Sequence, residues 1–332
     1  MSKLNRRSFL KGTLAASATL GWTAKSLSQV AGANDSLRVA VVGFKGRGES
    51  HISGMRSLQK KEKGVKITAL CDVDSKVLTA AVDKLNKASL SVTGYRDMRE
   101  MIDKEKLDIV CIATPNHWHA LATIWAVQAG KDVYVEKPVS HNVWEGRKMV
   151  EAARKYKKIV QTGTQSRSSF AIKQAVEWVA AGNLGKIKIA RGLCYKPRGS
   201  IGKVAAEQPV PSEIDYDLWC GPAPKDPVRR GNLHYDWHWV WNYGNGDLGN
   251  QGIHQMDIAR WFLGEMELAP RVFSLGGRFG YVDDGETANT QIVFQDYAKA
   301  PLIFEVRGLP DKKRSKVMDQ YKGGSVAVII EC

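Results

Sequence analysis

The chain has 332 residues, a formal net charge of +15 and 43% hydrophobic residues. This composition is typical of a globular protein, and the length exceeds one ordinary core, so two domains are predicted. No apolar run reaches the roughly 18 residues of a membrane-spanning helix. The basic residues are scattered and do not alternate with aromatic residues, which disfavours nucleic acid and favours an anionic cofactor. The five cysteines have no metal-type spacing, so neither a metal site nor a disulfide framework is predicted.

The N-terminus is typical of an export signal. Residues 1–33 contain basic residues and no acid. Arg6 and Arg7 are followed by Phe9-Leu10-Lys11 and a weakly apolar stretch, and Ala31-Gly32-Ala33 supplies small residues for cleavage. This pattern predicts a twin-arginine signal peptide, export of a folded protein and a periplasmic location. The alternative is a basic disordered tail.

A glycine-rich turn follows the first predicted strand of a predicted first domain, residues 34–160. The turn reads Gly43-Phe44-Lys45-Gly46-Arg47-Gly48 and leads into a predicted helix. Such a turn lets the backbone approach a dinucleotide pyrophosphate, which lies at the helix N-terminus. Lys45 stands where a second glycine is usual. Either Gly46 takes over the close approach, or Lys45 or Arg47 contacts a phosphate.

An acidic residue, Asp72, follows the second predicted strand, residues 65–71. A carboxylate at this place accepts hydrogen bonds from ribose hydroxyls and repels a 2′-phosphate. We therefore expect NAD as the cofactor, with NADP less favoured. The alternative is that Asp72 is a helix N-cap or turn residue before Ser75.

A second polar turn follows the strongly apolar segment 108–113. It reads Thr114-Pro115-Asn116-His117-Trp118-His119. Strands that alternate with helices indicate a parallel sheet, whose carboxyl edge binds ligands. Asn116 can bond a ribose or a carboxamide, with His119 one helical turn further on, or Asn116 can simply cap the helix.

A third turn ends the strand that begins at Asp132. Glu136-Lys137-Pro138 follows apolar residues, and proline prevents the strand from continuing as a ladder donor. At a carboxyl edge the Lys137 ammonium faces whatever occupies the crevice. The alternative is a solvated Glu-Lys pair.

The predicted second domain spans residues 161–332. Gln165 and Arg167 follow its first strand, where a ribose or substrate can be met, and Tyr195 ends a later one. Residues 196–231 are rich in Gly and Pro, which predicts a long surface loop with a packed turn at residues 218–224. Residues 232–243 include Trp237 and Trp241. Aromatic rings pack on sugar C–H faces, but such a segment can equally cover a domain interface.

A predicted helix from Gly252 to Gly264 carries further candidates. His254, Asp257 and Trp261 share one of its faces, and Asn250 lies in the preceding turn. His254 is either a proton carrier or a histidine bonded to Asp257. Later apolar segments predict strands of a second sheet, and because the chain ends inside one, we expect this sheet to be truncated at its C-terminus.

These motifs, in this order and spacing, resemble those of the Gfo/Idh/MocA oxidoreductases. The resemblance implies an α/β fold: a Rossmann doubly wound parallel sheet, then an α+β domain with an open, mostly antiparallel sheet that forms a homo-oligomer. It also implies that Glu136 and Lys137 hold the nicotinamide end, with a cis Lys137–Pro138 bond. The family pattern Asp-x-x-x-His-x-x-Asp reads here as Asn250-x-x-x-His254-x-x-Asp257, which puts His254 at the proton-transfer position.

The resemblance implies an exported NAD-dependent oxidoreductase that acts on a sugar or polyol, with Lys137 and His254 as catalytic residues. One alternative is a glycoside-cleaving enzyme that uses NAD for transient oxidation, elimination, hydration and re-reduction. A second alternative is a non-catalytic periplasmic sugar- or nucleotide-binding protein, which the replacement of an acid by Asn250 favours.

Overall fold

A computed structural model of the protein describes residues 36–61, 64–310, 312 and 315–332. The predicted twin-arginine signal, residues 1–33, lies outside these residues and stays a prediction. No helix in this part of the chain is long and apolar enough to cross a membrane.

The first domain is built on a parallel sheet. The strands that the structure describes pair in the order β3-β2-β1-β4-β5-β6, and these pairings are parallel. This is the Rossmann strand order, as predicted. The strands are β1 (Leu37–Val42), β2 (Val65–Cys71), β3 (Thr93–Tyr95), β4 (Ile109–Ile112), β5 (Asp132–Val135) and β6 (Val160–Thr162). The last one extends this sheet two residues beyond residue 160, the predicted end of the domain.

Helices cover both faces of this sheet, which explains why its central strands β1 and β4 are largely apolar and buried. Along β1, Ala40 and Val42 face one core cluster, while Val39 and Val41 face the other. The helices are α1 (Arg47–Lys61), α2 (Ser75–Lys87), α3 (Met98–Lys104), α4 (Asn116–Gln128) and α5 (Val143–Tyr156). The strand order reverses between β1 and β4, which opens a crevice at their carboxyl ends.

The second domain contains a mixed, mostly antiparallel sheet, as predicted. Its described strands pair in the order β11-β7-β10-β9-β8. The β7–β10 pair is parallel, and the other pairs are antiparallel. The strands are β7 (Ile189–Tyr195), β8 (Val272–Gly277), β9 (Thr290–Gln295), β10 (Leu302–Arg307) and β11 (Val326–Glu331).

One helix of the second domain packs closely on this sheet. The helices are α6 (Phe170–Ala180), α7 (Tyr216–Cys220), α8 (Gly246–Asn250) and α9 (Gly252–Leu263). A Cβ on Gly192 would lie 2.8 Å from the Cβ of Gln255, and one on Gly252 would lie 2.8 Å from the Phe304 ring. Glycine therefore lets α9 approach the sheet, and Gly264, at φ +72°, ends the helix.

The long surface loop predicted for residues 196–231 is wrong for part of that range. Tyr216, Trp219 and Cys220 form helix α7 and are buried with Tyr243 and other apolar residues in a separate core cluster. The packed turn predicted at residues 218–224 agrees with the burial of Trp219 and Cys220, but the Gly and Pro content did not reveal the helix.

The α4 N-terminus joins the two domains. The Asn116 side-chain amide donates to Asn245 Oδ1 at 2.9 Å. The His117 Nε2 atom lies 3.0 Å from the Trp219 carbonyl oxygen, and the Trp118 indole N–H donates to the same oxygen at 3.0 Å. Burial lowers the pKa of His117 to about 4, so its ring is neutral in this junction. These bonds fix the width of the crevice.

Candidate active site

The glycine-rich turn is sterically confined except at one residue. Gly43 has φ +73°, and a Cβ on it would lie 2.9 Å from the Thr114 backbone. A Cβ on Gly48 would lie 2.2 Å from the Gly43 carbonyl oxygen, whereas one on Gly46 would meet nothing within 4 Å. The backbone is therefore open at Gly46, which favours it over Lys45 as the point of pyrophosphate approach.

Asp72 is held beside this turn. Its Oδ2 accepts the Phe44 N–H at 3.0 Å, and its Oδ1 accepts the Asp74 N–H at 3.0 Å. Burial raises the pKa of Asp72, although these bonds oppose the rise. Of the alternative roles of Asp72, that of helix cap is wrong, because Asp74 caps α2 by accepting the Lys76 and Val77 N–H groups. That of a turn residue before Ser75 agrees with the bond from the Asp74 N–H.

The polar side chains of the Thr-Pro-Asn turn differ in their partners: the Asn116 amide bonds Asn245, whereas the Thr114 hydroxyl has no hydrogen-bond partner among the described residues. Pro115 is the N-cap of α4, without a side-chain cap bond, so the capping alternative for Asn116 is wrong. The two His119 ring nitrogens lie 2.6 Å from the Pro138 carbonyl oxygen and 2.8 Å from that of Thr114. His119 thus lies between two turns of the carboxyl edge. Burial lowers its pKa, and a neutral imidazole donates its single N–H to one of these two carbonyl oxygens.

Glu136 is buried in an ionic cluster. Its Oε1 accepts from the Arg47 Nε at 2.8 Å and lies 2.9 Å from the His51 Nε2. Burial alone would raise the pKa of Glu136, but the bonds to His51 and Arg47 lower it to about 2. Arg47, predicted as a possible phosphate contact, is therefore engaged by Glu136.

Lys137 reaches from the first domain to the second. The Lys137–Pro138 peptide bond is cis, as the resemblance implied. The ammonium donates to Asn250 Oδ1 at 2.8 Å and to the Asn250 carbonyl oxygen at 2.9 Å. Burial lowers the pKa of Lys137; Glu136 opposes this, and the like charge of Arg47 adds to it. The residue is thus a partly buried cation with neutral acceptors.

His254, on α9, lines the crevice with Lys137. Its Nδ1 atom is buried and has no hydrogen-bond partner in the part of the chain that the structure describes. Burial lowers the pKa of His254, and the nearby Lys137 charge lowers it further. The imidazole is therefore biased towards the neutral form that accepts a proton.

The alternative pairing of His254 with Asp257 is wrong. Asp257 instead accepts two hydrogen bonds from Arg167, each 2.8 Å long. The Arg167 guanidinium also lies 4.6 Å from the centre of the Trp261 ring. Neither Arg167 nor Asp257 lines the crevice, so they hold α9 rather than contact a substrate there.

The aromatic segment divides between crevice and surface. Trp237 is buried and lines the crevice. Gln165 also lines the crevice but is exposed. Trp241 is 55% exposed and lies outside it. The substrate role predicted for Tyr195 is wrong, because its ring is buried and its hydroxyl donates to Glu305 at 2.8 Å.

A cavity of about 470 Å³ lies between the domains at the carboxyl edge. Every predicted cofactor residue except Gly48 lines it, as do Trp237, Asn250 and His254. Other lining residues were not predicted from the sequence, although Lys196 and Arg198 lie within three positions of the end of β7. Those not selected include Arg96, Asp97, Lys196, Arg198, Tyr235 and Gln251.

Comparison with protein families identifies both domains. Residues 37–164 match the oxidoreductase family with an NAD-binding Rossmann fold, and residues 168–295 match that family's C-terminal alpha/beta domain. The chain belongs to the Gfo/Idh/MocA oxidoreductase family. The resemblance proposed from the sequence is thereby confirmed.

Individual members of the family share about a third or less of their aligned residues with this chain. A glycosyl hydrolase family 109 protein of Shewanella baltica (strain OS185) is 32% identical over an alignment of 181 residues, and the match covers 48% of this chain and 39% of that protein. An inositol 2-dehydrogenase of Salmonella agona (strain SL483) is 28% identical over 160 residues, 48% of this chain and 46% of that protein. The matches thus span less than half the length of these relatives.

Two solved structures share the fold. The WlbA dehydrogenase of Bordetella pertussis, in complex with NADH and UDP-GlcNAcA, has a TM-score of 0.64 at 19% identity, over 83% of this chain and 70% of that chain. The myo-inositol 2-dehydrogenase of Lactobacillus plantarum has a TM-score of 0.59 at 24% identity, over 83% and 71%.

The residues present fit the NAD of this family. The open backbone at Gly46 admits a pyrophosphate at the α1 N-terminus, and Asp72 lies where ribose hydroxyls are bound. Bound NAD supplies the hydride acceptor. At the opposite end of the cavity, Lys137 can donate a hydrogen bond to a substrate oxygen, and neutral His254 can take its proton.

Proposed function

We propose that the protein is an NAD-dependent oxidoreductase that moves a hydride between the nicotinamide and a hydroxyl-bearing carbon of a sugar or polyol. The observation that carries the proposal is the meeting of Lys137 and His254, from different domains, in one cavity beside the cofactor turn. Solved relatives with this fold include dehydrogenases bound to NADH.

The proposed roles follow from the charges. Lys137 polarises the reacting oxygen and, by like charge, disfavours the protonated form of His254. His254 accepts the hydroxyl proton while the hydride leaves the same carbon. The Asn250 amide is neutral and is neither an acid nor a base, so it takes no part in proton transfer. Its role is to hold the Lys137 ammonium in place by accepting its hydrogen bond.

A substrate panel tests the proposal. Purified protein is mixed with NAD and with sugars and polyols, and the absorbance of reduced nicotinamide is followed. Formation of reduced nicotinamide by the protein, and its loss in Lys137→Ala, is the expected result. Tight sugar binding without turnover across the panel would favour a non-catalytic binding protein instead.

A second candidate is glycoside cleavage through transient oxidation, which the family 109 relatives favour. It uses the same residues but gives no net redox change. Release of the aryl group from an aryl glycoside, dependent on bound NAD and without accumulation of reduced nicotinamide, distinguishes it from the first candidate.

We also propose that the protein is exported by the twin-arginine route and works in the periplasm. Arg6-Arg7 with Phe9-Leu10-Lys11 supports this address. A tightly held NAD suits that compartment, where no free nicotinamide pool is expected.

Homo-oligomerisation through the second sheet completes the proposal. On one face of β8, Phe273 and Leu275 are 63% and 68% exposed, and Ile292, which pairs with Leu275 on β9, is 50% exposed. A contiguous apolar surface of this kind is typical of an interface. Light scattering on the purified protein and on Phe273→Glu tests it: an oligomer that the substitution dissociates is expected, and a monomeric parent protein would contradict it.

A further inference from the structure

Two basic residues at the substrate end of the cavity have no part in the mechanism above. Lys196 and Arg198 lie one and three positions after the end of β7 and line the same cavity as Lys137 and His254. The Lys196 side chain is exposed, whereas Arg198 is only 8% exposed.

The Arg198 guanidinium is held in a fixed position. Its Nε donates to Asp247 Oδ2 at 2.9 Å, its Nη2 donates to Asp247 Oδ1 at 2.5 Å, and its Nη1 donates to the Tyr235 hydroxyl at 3.3 Å. The Trp239 ring centre lies 5.3 Å away. A guanidinium has five N–H groups, so two remain for a ligand.

The charges at this end of the cavity do not balance. Lys137, Lys196 and Arg198 are positive, and Asp247 neutralises one of them. Glu136 is already shared by Arg47 and His51, and the acceptor of Lys137 is the neutral Asn250. An excess of positive charge therefore faces the substrate, in surroundings where charges interact more strongly than in water.

We propose that the sugar substrate carries an anionic group, a carboxylate or a phosphate, that Arg198 and Lys196 bind. This inference rests on the proposed function of the same cavity. A positioned guanidinium matches the two oxygens of a carboxylate or phosphate, and Lys196 adds a point charge. Binding at this place orients the sugar so that a hydroxyl on another carbon meets Lys137 and His254.

Specificity constants test the proposal. kcat/KM is measured with NAD for a hexuronate, for a hexose 6-phosphate and for the parent neutral hexose. One or both anionic sugars should exceed the neutral sugar by roughly 10- to 100-fold, the range expected for hydrogen bonds to a charged group. Whichever anionic sugar is preferred identifies the group.

Two variants assign the preference to these residues. Lys196→Met and Arg198→Lys should each reduce the preference for the anionic sugar, measured as the ratio of its kcat/KM to that of the neutral sugar in the same variant. Lys186→Met, an exposed lysine outside the cavity, serves as the control and should have no effect. Arg198→Lys keeps the charge beside Asp247, so it tests the guanidinium geometry without leaving a buried carboxylate unpaired.

Each outcome has a distinct meaning. Equal kcat/KM for anionic and neutral sugars overturns the inference. An equal loss of kcat/KM for both sugars in Lys196→Met also overturns it, because the cations would then act only on the reacting oxygen. If no sugar reduces the cofactor, the proposed function fails. Calorimetric titration of the NAD-loaded protein with the same sugars then decides the inference: selective binding of an anionic sugar, weakened in Lys196→Met, supports it, and its absence refutes it.

Discussion

The Lys137 ammonium lies 2.8 Å from the side-chain oxygen of Asn250, across the crevice between the domains. At this position the family pattern has an aspartate. An amide oxygen accepts the same hydrogen bond but brings no negative charge, so the charge of Lys137 remains available to the substrate oxygen and to His254. This difference makes the site more cationic than the family pattern implies.

The first prediction concerns the proton affinity of His254. The Lys137 charge lowers the pKa of His254 in addition to the effect of burial, so Lys137→Met should raise that pKa. Titration of the histidine ring signals by NMR measures it, with Lys186→Met as the control. In the parent protein His254 should stay neutral to a lower pH than an ordinary histidine, and an unchanged pKa in Lys137→Met would contradict the proposed coupling.

The second prediction concerns the cofactor. The protein should bind NAD more tightly than NADP, because the Asp72 carboxylate lies where a 2′-phosphate would be. Asp72→Asn should reduce the ratio of NAD affinity to NADP affinity by about tenfold, because ~1.4 kcal/mol of repulsion between the carboxylate and the 2′-phosphate is removed. Calorimetry with both cofactors measures this, and Asp97→Asn, another acid that lines the cavity, is the control. Tighter NADP binding by the parent protein would refute the role of Asp72.

The third prediction concerns stability. Asp247 is 2% exposed and neutralises the buried Arg198, so Asp247→Ala should lower the free energy of unfolding by about 3–5 kcal/mol. Glu100, in an exposed pair with Lys104, is the control, and Glu100→Ala should cost only about 0.5 kcal/mol. Urea denaturation measures both. Equal losses would mean that the Arg198–Asp247 pair contributes no more than a surface pair.

The fourth prediction concerns export. Replacing Arg6 and Arg7 by lysine keeps the charge but removes the arginine pair, so the protein should remain in the cytosol. Cell fractionation measures its location, and Lys25→Arg outside the motif is the control. Arrival of the double-lysine variant in the periplasm would show that another signal directs it.

The first domain was predictable because its signals are local. Each apolar strand ends in a turn of distinctive composition, and alternation of strands with helices implies a parallel sheet. Lys137 and His254 could be predicted for the same reason. Both lie in short motifs whose place relative to a strand or a helix indicates that they face the crevice.

Contacts between distant segments were not predictable in this way. The Asn116 contact with Asn245 joins residues 129 positions apart, and the sequence pattern allowed a local capping role equally well. Tyr195 was misassigned because its strand end resembles a ligand-binding edge, although the ring turns to Glu305. Arg198 lies in a Gly- and Pro-rich stretch, so the sequence did not single it out. Its position in the cavity became apparent only from its burial against Asp247.

The central claim is that Lys137 and His254 act together on one substrate oxygen. Single-turnover reduction of the bound cofactor, measured for the parent protein, Lys137→Ala, His254→Ala and the double variant, tests it most directly. Each single substitution should slow reduction by ~10²- to 10⁴-fold, NAD binding should persist, and the double variant should be little slower than the slower single variant. An unchanged rate in His254→Ala, or fully multiplicative losses in the double variant, would contradict the claim.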